Sequence, residues 1–446
     1  MEFRSFNFHP LVAAGVEAAG YVTPTPIQEQ AIPPVMEGID VMGLAQTGTG
    51  KTAAFALPIL HRLLENPGRG IRALVIAPTR ELAEQIHESI CTLGRKTRLR
   101  SITVYGGVNV NPQIQKLKQG VEIVVACPGR LLDHLTQGNI NLANLEVLVL
   151  DEADQMFDMG FLPDIRRILR HVPARRQTLL FSATMPPDIR GLAQEVLTNP
   201  VTVQVGNTAP PVTVTHALYP VAQHLKTALM LELLRQIDTE SVLVFTRTKH
   251  RAKRLGEQLE KAGYKAASLQ GNLSQNRRQA ALDGFRDGTY QILVATDIAA
   301  RGIDVSQISH VINYDIPDTP EAYVHRIGRT GRAARTGDAF TMVTVEDAIM
   351  VRTIEKKLGA TLVRHTLENF DYSVPAPHKD QEFARPPREP QQRRKQPDKK
   401  TAVPKSGLRQ PAEQKNARGT SPSHGRPVAP SSAPSARHPQ RAPRAR

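Results

Sequence analysis

Short runs of β-branched and aliphatic residues recur along this chain, each followed by a stretch with helical spacing. The runs A-L-V-I-A (73–77), V-E-I-V-V-A (121–126), L-E-V-L-V-L (145–150) and T-L-L-F-S (178–182) are too short to span a membrane. They are also too continuous for strands with one wet face, so they read as strands buried on both faces of a parallel sheet. Segments such as 80–94 and 111–119 read as the intervening helices. Few folds suit such alternation, because parallel strands need crossovers and the crossovers cover both sheet faces. The pattern pauses at G-N-T-A-P-P-V-T (206–213), where two prolines and a glycine suggest a linker, and resumes at 241–246, 290–297 and 310–315. No short tandem repeat is visible. The expected architecture is α/β, with domains of similar build at 1–206 and 214–370, a linker at 207–213 and a tail at 371–446.

Charge sets the tail apart. The chain has 446 residues and a net charge of +15, but residues 376–446 hold 17 Lys and Arg against 5 Asp and Glu. That leaves 40 against 37 for everything before them. Thirteen of the 34 prolines lie in the same stretch, and Phe383 is its only aromatic residue. Such a segment cannot bury enough apolar surface to offset its ordering entropy, so a disordered basic tail is expected. It can serve as a solubilising extension or as a sequence-independent tether for phosphates, and the latter suits the motifs that precede it. Cys91 and Cys127 cannot build a disulfide framework and lack metal-site spacing. There is no signal-peptide pattern and no apolar run near the roughly 18–20 residues of a spanning helix. The expectation is a cytoplasmic protein without membrane contact.

Acids end one of the buried runs: Leu145–Asp154 reads L-E-V-L-V-L-D-E-A-D. Asp151, Glu152 and Asp154 would then lie at the carboxyl edge of the sheet, where α/β folds bind ligands. Taken alone, the stretch reads better as a solvated turn after a core strand. The segment A-Q-T-G-T-G-K-T (45–52) changes the balance, because it fits the P-loop pattern with Ala45 in place of the usual first glycine. Gly48 and Gly50 let successive N–H groups of Ala45, Gln46, Thr47 and Thr49 curl around a phosphate. Lys51 adds a point charge, and the Thr52 hydroxyl can ligate Mg²⁺ at the start of a helix. P-loop nucleotidases hold magnesium with this Ser/Thr and a strand-end Asp. Thr52 and Asp151 suit those roles, partly through water, and Glu152 can orient the attacking water. The two segments together imply nucleotide hydrolysis.

From Phe3 to about Thr344 these motifs, in this order, resemble the DEAD-box ATP-dependent RNA helicases of superfamily 2, whose fold is two tandem RecA-like domains. G-Y-V-T-P-T-P-I-Q (20–28) is similar to the Q motif, which implies that Gln28 reads adenine and that Phe3 stacks on the base. P-T-R-E-L (78–82), Gly106–Gly107 and C-P-G-R (127–130) resemble RNA-contact motifs, which implies phosphate contacts by Thr79, Arg80, Gly107 and Arg130. Each arginine alone also reads as a helix-start salt bridge. Cys127 stands where the family usually has Thr. S-A-T (182–184) resembles the segment that couples the acids to domain closure, bringing in Asp154, Ser182 and Thr184. In the second domain, 244–249, 270–278 and 295–304 resemble motifs that imply RNA contacts by Thr246, Arg247, Gln275, Arg278, Thr296 and Asp297. The last of them also implies nucleotide contacts by Gly302 and Asp304. H-R-I-G-R-T-G-R (325–332) resembles the arginine-finger motif. It implies that Arg329 and Arg332 act on the γ-phosphate while His325 and Arg326 link to the acids of the first domain. Within the family, 158–169 and 242–250 resemble the bacterial RhlE subgroup.

The resemblance implies ATP and Mg²⁺ as ligands. It implies an RNA partner, single-stranded or short duplex, held by its backbone without regard to sequence. Closure of the domains would complete the hydrolysis site and part a duplex locally, without processive tracking. Ribosomal precursors or a ribonuclease complex are candidate partners of the tail. Two other readings are a DNA helicase of the same superfamily and an ATP-gated RNA clamp or scaffold. The Q, D-E-A-D and S-A-T wording speaks against the first, and an intact Lys51, Glu152 and Arg332 against the second.

Overall fold

The computed structural model describes residues 2–46, 48–205, 214–237, 240–300, 308–331 and 337–376. The first lobe contains β1 (Val41–Leu44), β2 (Ala73–Ile76), β3 (Ser101–Val104), β4 (Ile123–Ala126), β5 (Val147–Leu150), β6 (Gln177–Ser182) and β7 (Val201–Gln204). The second contains β8 (Val214–Pro220), β9 (Val242–Phe245), β10 (Ala266–Leu269), β11 (Ile292–Ala295), β12 (His310–Asn313), β13 (Gly337–Val343) and β14 (Val363–Arg364). The strand orders are β3-β4-β2-β5-β6-β1-β7 and β10-β11-β9-β12-β13-β8-β14. Counted from the first strand of each lobe, the two orders are the same. All strand pairs among the described residues are parallel. The lobes are thus topological copies without a visible sequence repeat, the expected tandem RecA-like architecture.

The period of two along β5 shows how the sheet is held. Val147 and Val149 enter the core on one face with Val75 and Leu179, whereas Leu148 and Leu150 enter the other with Leu74, Ile76 and Leu180. All four β5 residues are buried, and each such side chain contributes about 1.5–3 kcal/mol. The second lobe repeats the arrangement, with Val242 and Val244 on one face and Leu243 and Phe245 on the other.

The packed part of the second lobe runs past the expected boundary at 370. Tyr372 packs on the core beside Phe370, its hydroxyl accepts a hydrogen bond from the Leu367 N–H, and His224 bonds the Val374 carbonyl at 2.7 Å. Aromatic anchors draw these residues onto the lobe, so the tail starts after them. The linker at 207–213 and residues 377–446 lie outside the described residues. Among the described residues, no helix is long and apolar enough to cross a membrane.

Candidate active site and nucleic-acid face

The order β5-β6-β1 brings three distant segments together at one sheet edge: Asp151 after β5, Ser182 at the end of β6 and Ala45 after β1. Leu44 is in register with Ser182. Gly50 caps the helix Lys51–Glu65 with φ of +94°, a conformation open mainly to glycine. A Cβ there would also lie 2.4 Å from Gln28 Nε2. Lys51 is buried and donates to the Ala45 carbonyl at 2.8 Å, while Thr49 Oγ1 donates to the Gln46 carbonyl. Thr52 is half-buried. Thr47 lies outside the described residues.

Gln28, expected to read adenine, also makes two contacts within the protein. Its Oε1 accepts from the Thr25 N–H at 2.8 Å, closing a helix capping box, and its Nε2 donates to the Gly50 carbonyl at 3.0 Å. The amide therefore splints the P-loop glycine to a helix start, with one N–H and one lone pair left over. Phe3 is likewise buried, set edge-on against Phe6 and Tyr21, and not held out as an open stacking face.

The acids are buried. Asp151 is 2% exposed, and burial pushes its carboxyl up to about 7, against the pull of Lys51 and with the added repulsion of Glu152. Its Oδ1 accepts from the Glu152 N–H at 3.0 Å. Glu152 itself sits at φ 52°, ψ 52°, a left-handed conformation costing a non-glycine residue about 1–3 kcal/mol. Asp154 Oδ2 accepts from both the N–H and the hydroxyl of Thr184, each at 2.9 Å. Ser182 Oγ accepts from the Asp154 N–H and donates to the Thr184 carbonyl. The D-E-A-D and S-A-T segments thus form one hydrogen-bonded unit, which the sequence resemblance implied.

The helix Pro320–Ile327 of the second lobe faces this unit. His325 Nε2 lies 4.0 Å from Asp154 Oδ2, and burial holds the imidazole below its ordinary range, against the pull of Asp154. Arg329 is buried. Gln46, Glu152, Asp154, Thr184, His325 and Arg329 all line one cleft of about 750 Å³ between the lobes. Arg326 departs from expectation. It turns into its own lobe, paired with Asp297 at 2.6 and 2.7 Å and donating to Asn313 Oδ1 and the Asp315 carbonyl. Four of its five N–H groups are taken by acceptors of its own lobe, which ties it there among the described residues. Arg332, Gly302 and Asp304 lie outside the described residues.

The expected RNA contacts divide. Arg80 passes over Gly107, where φ is +78° and a Cβ would lie 2.3 Å from the guanidinium. Arg80 then reaches across the lobes to Gln275 Oε1 at 3.2 Å. Gln275 and Arg278 both bond Glu81 Oε1, at 3.3 and 2.8 Å. Arg130 leans on the Val108 carbonyl and on Asp133. Arg247 remains half-exposed beside Asp318, and Thr296 is half-buried at the start of the helix Asp297–Ala300. Three of the residues have hydrogen-bond partners within their own lobe. Thr79 caps the helix Arg80–Leu93 by accepting from the Leu82 N–H. Thr246 is fully buried, with its hydroxyl turned to the Thr248 carbonyl. Asp297 is paired with Arg326. The Cys127 thiol is pushed up to about 12 by burial, so it is neutral.

Glu81 and Asp315 were not among the residues singled out from sequence. Glu81 lies inside P-T-R-E-L, and two partners from the other lobe make it a bridge. Asp315 accepts from the Arg247 N–H and pairs with Arg251 and the buried Lys226. The run Y-D directly after β12 is the signal for it, since it occupies the place of Asp151 in the other lobe.

A family model described as DEAD/DEAH box helicase matches residues 25–192, and one described as helicase conserved C-terminal domain matches residues 225–334. A Bacillus subtilis protein named DEAD-box ATP-dependent RNA helicase CshA is 45% identical over 356 residues, covering 79% of this chain and 72% of that protein. A Limosilactobacillus reuteri protein named ATP-dependent RNA helicase CshA is 45% identical over 358 residues, covering 80% and 72%. Among solved structures, S. cerevisiae Dbp5 bound to RNA and ADP BeF3 superposes with a TM-score of 0.75 at 31% identity, over 82% of this chain and 95% of that one.

Proposed function

The chain belongs to the DEAD-box ATP-dependent RNA helicases, and from that premise we propose that it couples ATP hydrolysis to local, non-processive unwinding of short RNA duplexes and to remodelling of RNA–protein complexes. The observation that carries this reading is the shared cleft. Glu152 and Asp154 come from one lobe, His325 and Arg329 from the other, and neither lobe alone has the full set. Hydrolysis therefore depends on how the lobes meet, and the Arg80–Gln275 and Glu81–Arg278 contacts put that meeting beside the proposed RNA path.

ATP is held by its phosphates in the P-loop. Lys51 leaves the Ala45 carbonyl to take the outer phosphates, and Arg329 supplies a planar charged fork to oxygens gaining negative charge. Glu152, held in a strained backbone, orients the attacking water. The buried Asp151, whose carboxyl is uphill to ionise, fits a divalent cation that would restore its charge. Asp151 and Thr52 would hold Mg²⁺, which when bound neutralises phosphate charge. RNA is bound through its sugar–phosphate backbone by Arg80, Arg130, Arg247, Gln275 and Arg278. The basic tail adds contacts to the same chemistry, and ribosomal precursors or a ribonuclease complex would suit it.

The test is an ATPase assay on the full chain with RNA and with DNA of the same sequence. Activity should rise many-fold with RNA and little with DNA. Equal stimulation favours the DNA-helicase reading, and binding without turnover favours a clamp. Strand separation that stays efficient on long duplexes would sink the non-processive mechanism.

A further inference from the structure

The cleft between the lobes is larger than its catalytic groups require. One half is polar, with Gln46, Glu152, Asp154 and Arg329; the other is an apolar gallery walled by Met42, Phe157, Met185, Val205 and Val324. Met42, Phe157 and Met185 pack with the core on one face of the first sheet, while Val205, just past the edge strand β7, packs with the other. Phe3 and the helix neighbours of Gln28, Ile27 and Ala31, belong to the core on the opposite face. A nucleotide with its base on the Gln28 side and its γ-phosphate between Glu152 and Arg329 would leave this gallery vacant beyond the reacting phosphate.

The gallery reaches solvent past Arg190, Glu321 and Lys357, all exposed. Lys357 is already paired with Glu321 at 3.1 Å. The Arg190 guanidinium, on the helix Pro187–Val196 that follows S-A-T, has no hydrogen bond or ion pair among the described residues.

We propose that this gallery is the exit route of the inorganic phosphate formed by hydrolysis, and that Arg190 receives it at the mouth. The inference rests on the reading that ATP is cleaved between Glu152 and Arg329. Cleavage leaves ADP in the P-loop, so phosphate cannot retreat along the path by which ATP entered. It carries between one and two negative charges near neutral pH. Apolar walls offer it no hydrogen-bond partner, so it does not stop there. An unpaired guanidinium at the far end suits its oxygens and draws it outward.

Single-turnover experiments on the full chain with saturating RNA separate the steps. Acid quench reports cleavage, and a fluorescent phosphate sensor reports release. Arg190→Glu should leave cleavage unchanged and slow release by about fivefold at low salt, with the deficit shrinking as salt is added. Arg190→Lys should restore most of the rate. Release at the wild-type rate in Arg190→Glu overturns the proposal. So does a matching loss in cleavage or in ATP affinity, because Arg190 would then act before phosphate leaves. A wild-type chain with no RNA-dependent cleavage would instead remove the hydrolysis reading, and the exit route with it.

Discussion

Replacing Arg326 by alanine tests whether this residue ties its own lobe together or reaches across to the first. The side chain is 3% exposed and makes two bonds to Asp297 and one each to Asn313 Oδ1 and the Asp315 carbonyl, with its guanidinium 5.0 Å from the Phe245 ring centroid. Removing one partner of a buried ion pair costs about 3–5 kcal/mol, chiefly because the other charge is left unpaired. Asp297 is 34% exposed, so water can take part of the load and the lower end, about 3 kcal/mol, is the better figure. For a lobe of this size that is a drop of roughly 6–12 °C in its unfolding midpoint. The chain has no tryptophan, so Tyr264→Trp in the second-lobe core gives a reporter on which wild-type and variant can be compared. Arg326→Lys keeps the charge without the fork and should cost about half as much. Turnover should fall as well, since the helix bearing His325 and Arg329 loses its anchor. A variant that loses turnover with its midpoint within about 1 °C of wild-type would refute the internal tie and return Arg326 to a role across the lobes.

Gly50→Ala must place a Cβ 2.4 Å from Gln28 Nε2 at φ of +94°, so ATP affinity should fall by about tenfold or more, read by titration with a fluorescent ATP analogue. Arg329→Ala should keep ATP affinity and lose about 10³-fold in RNA-stimulated turnover; if turnover survives, the finger is elsewhere. Asp151 has a folded-state carboxyl raised to about 7, so the ligand-free native state holds its proton more tightly than the unfolded chain does. Stability should therefore fall as pH rises toward about 7, and the gap in melting temperature favouring Asp151→Asn should widen from about pH 4 to about pH 7 and level off above; a constant gap would count against this. Ending the chain after Val374 should weaken RNA binding and flatten its salt dependence, whereas unchanged affinity and slope would make the tail a mere extension.

The motifs legible in the sequence are those whose chemistry is carried by consecutive residues. A-Q-T-G-T-G-K-T and D-E-A-D each shape their own backbone, and S-A-T closes onto Asp154 through the Ser182 hydroxyl and the N–H and hydroxyl of Thr184. Edge and mixed strands were harder to see. β1 carries Gly43, β3 alternates polar and apolar residues, and β13 opens with Gly-Asp, so none has the continuous run that marked β5. Arginine partners could not be read at all. Arg278 and Arg326 sit in equally basic segments, yet one bridges to Glu81 of the other lobe and the other closes on its own.

By itself, the sequence determined that this chain alternates strand and helix twice over, carries a P-loop pattern after β1 and carries acids after β5. These are consequences of local periodicity and of residues fixed within one turn or loop. Only the tertiary structure decided that β5, β6 and β1 lie side by side, that both lobes share one strand order, and that Glu152 faces Arg329 across a cleft. Thr246 marks the limit: its motif suggests a ligand contact, but the end of a fully buried strand carries it into the core. Which side chains meet depends on where the chain returns after a hundred residues or more, and that is set by the packing of whole sheet faces rather than by any one stretch.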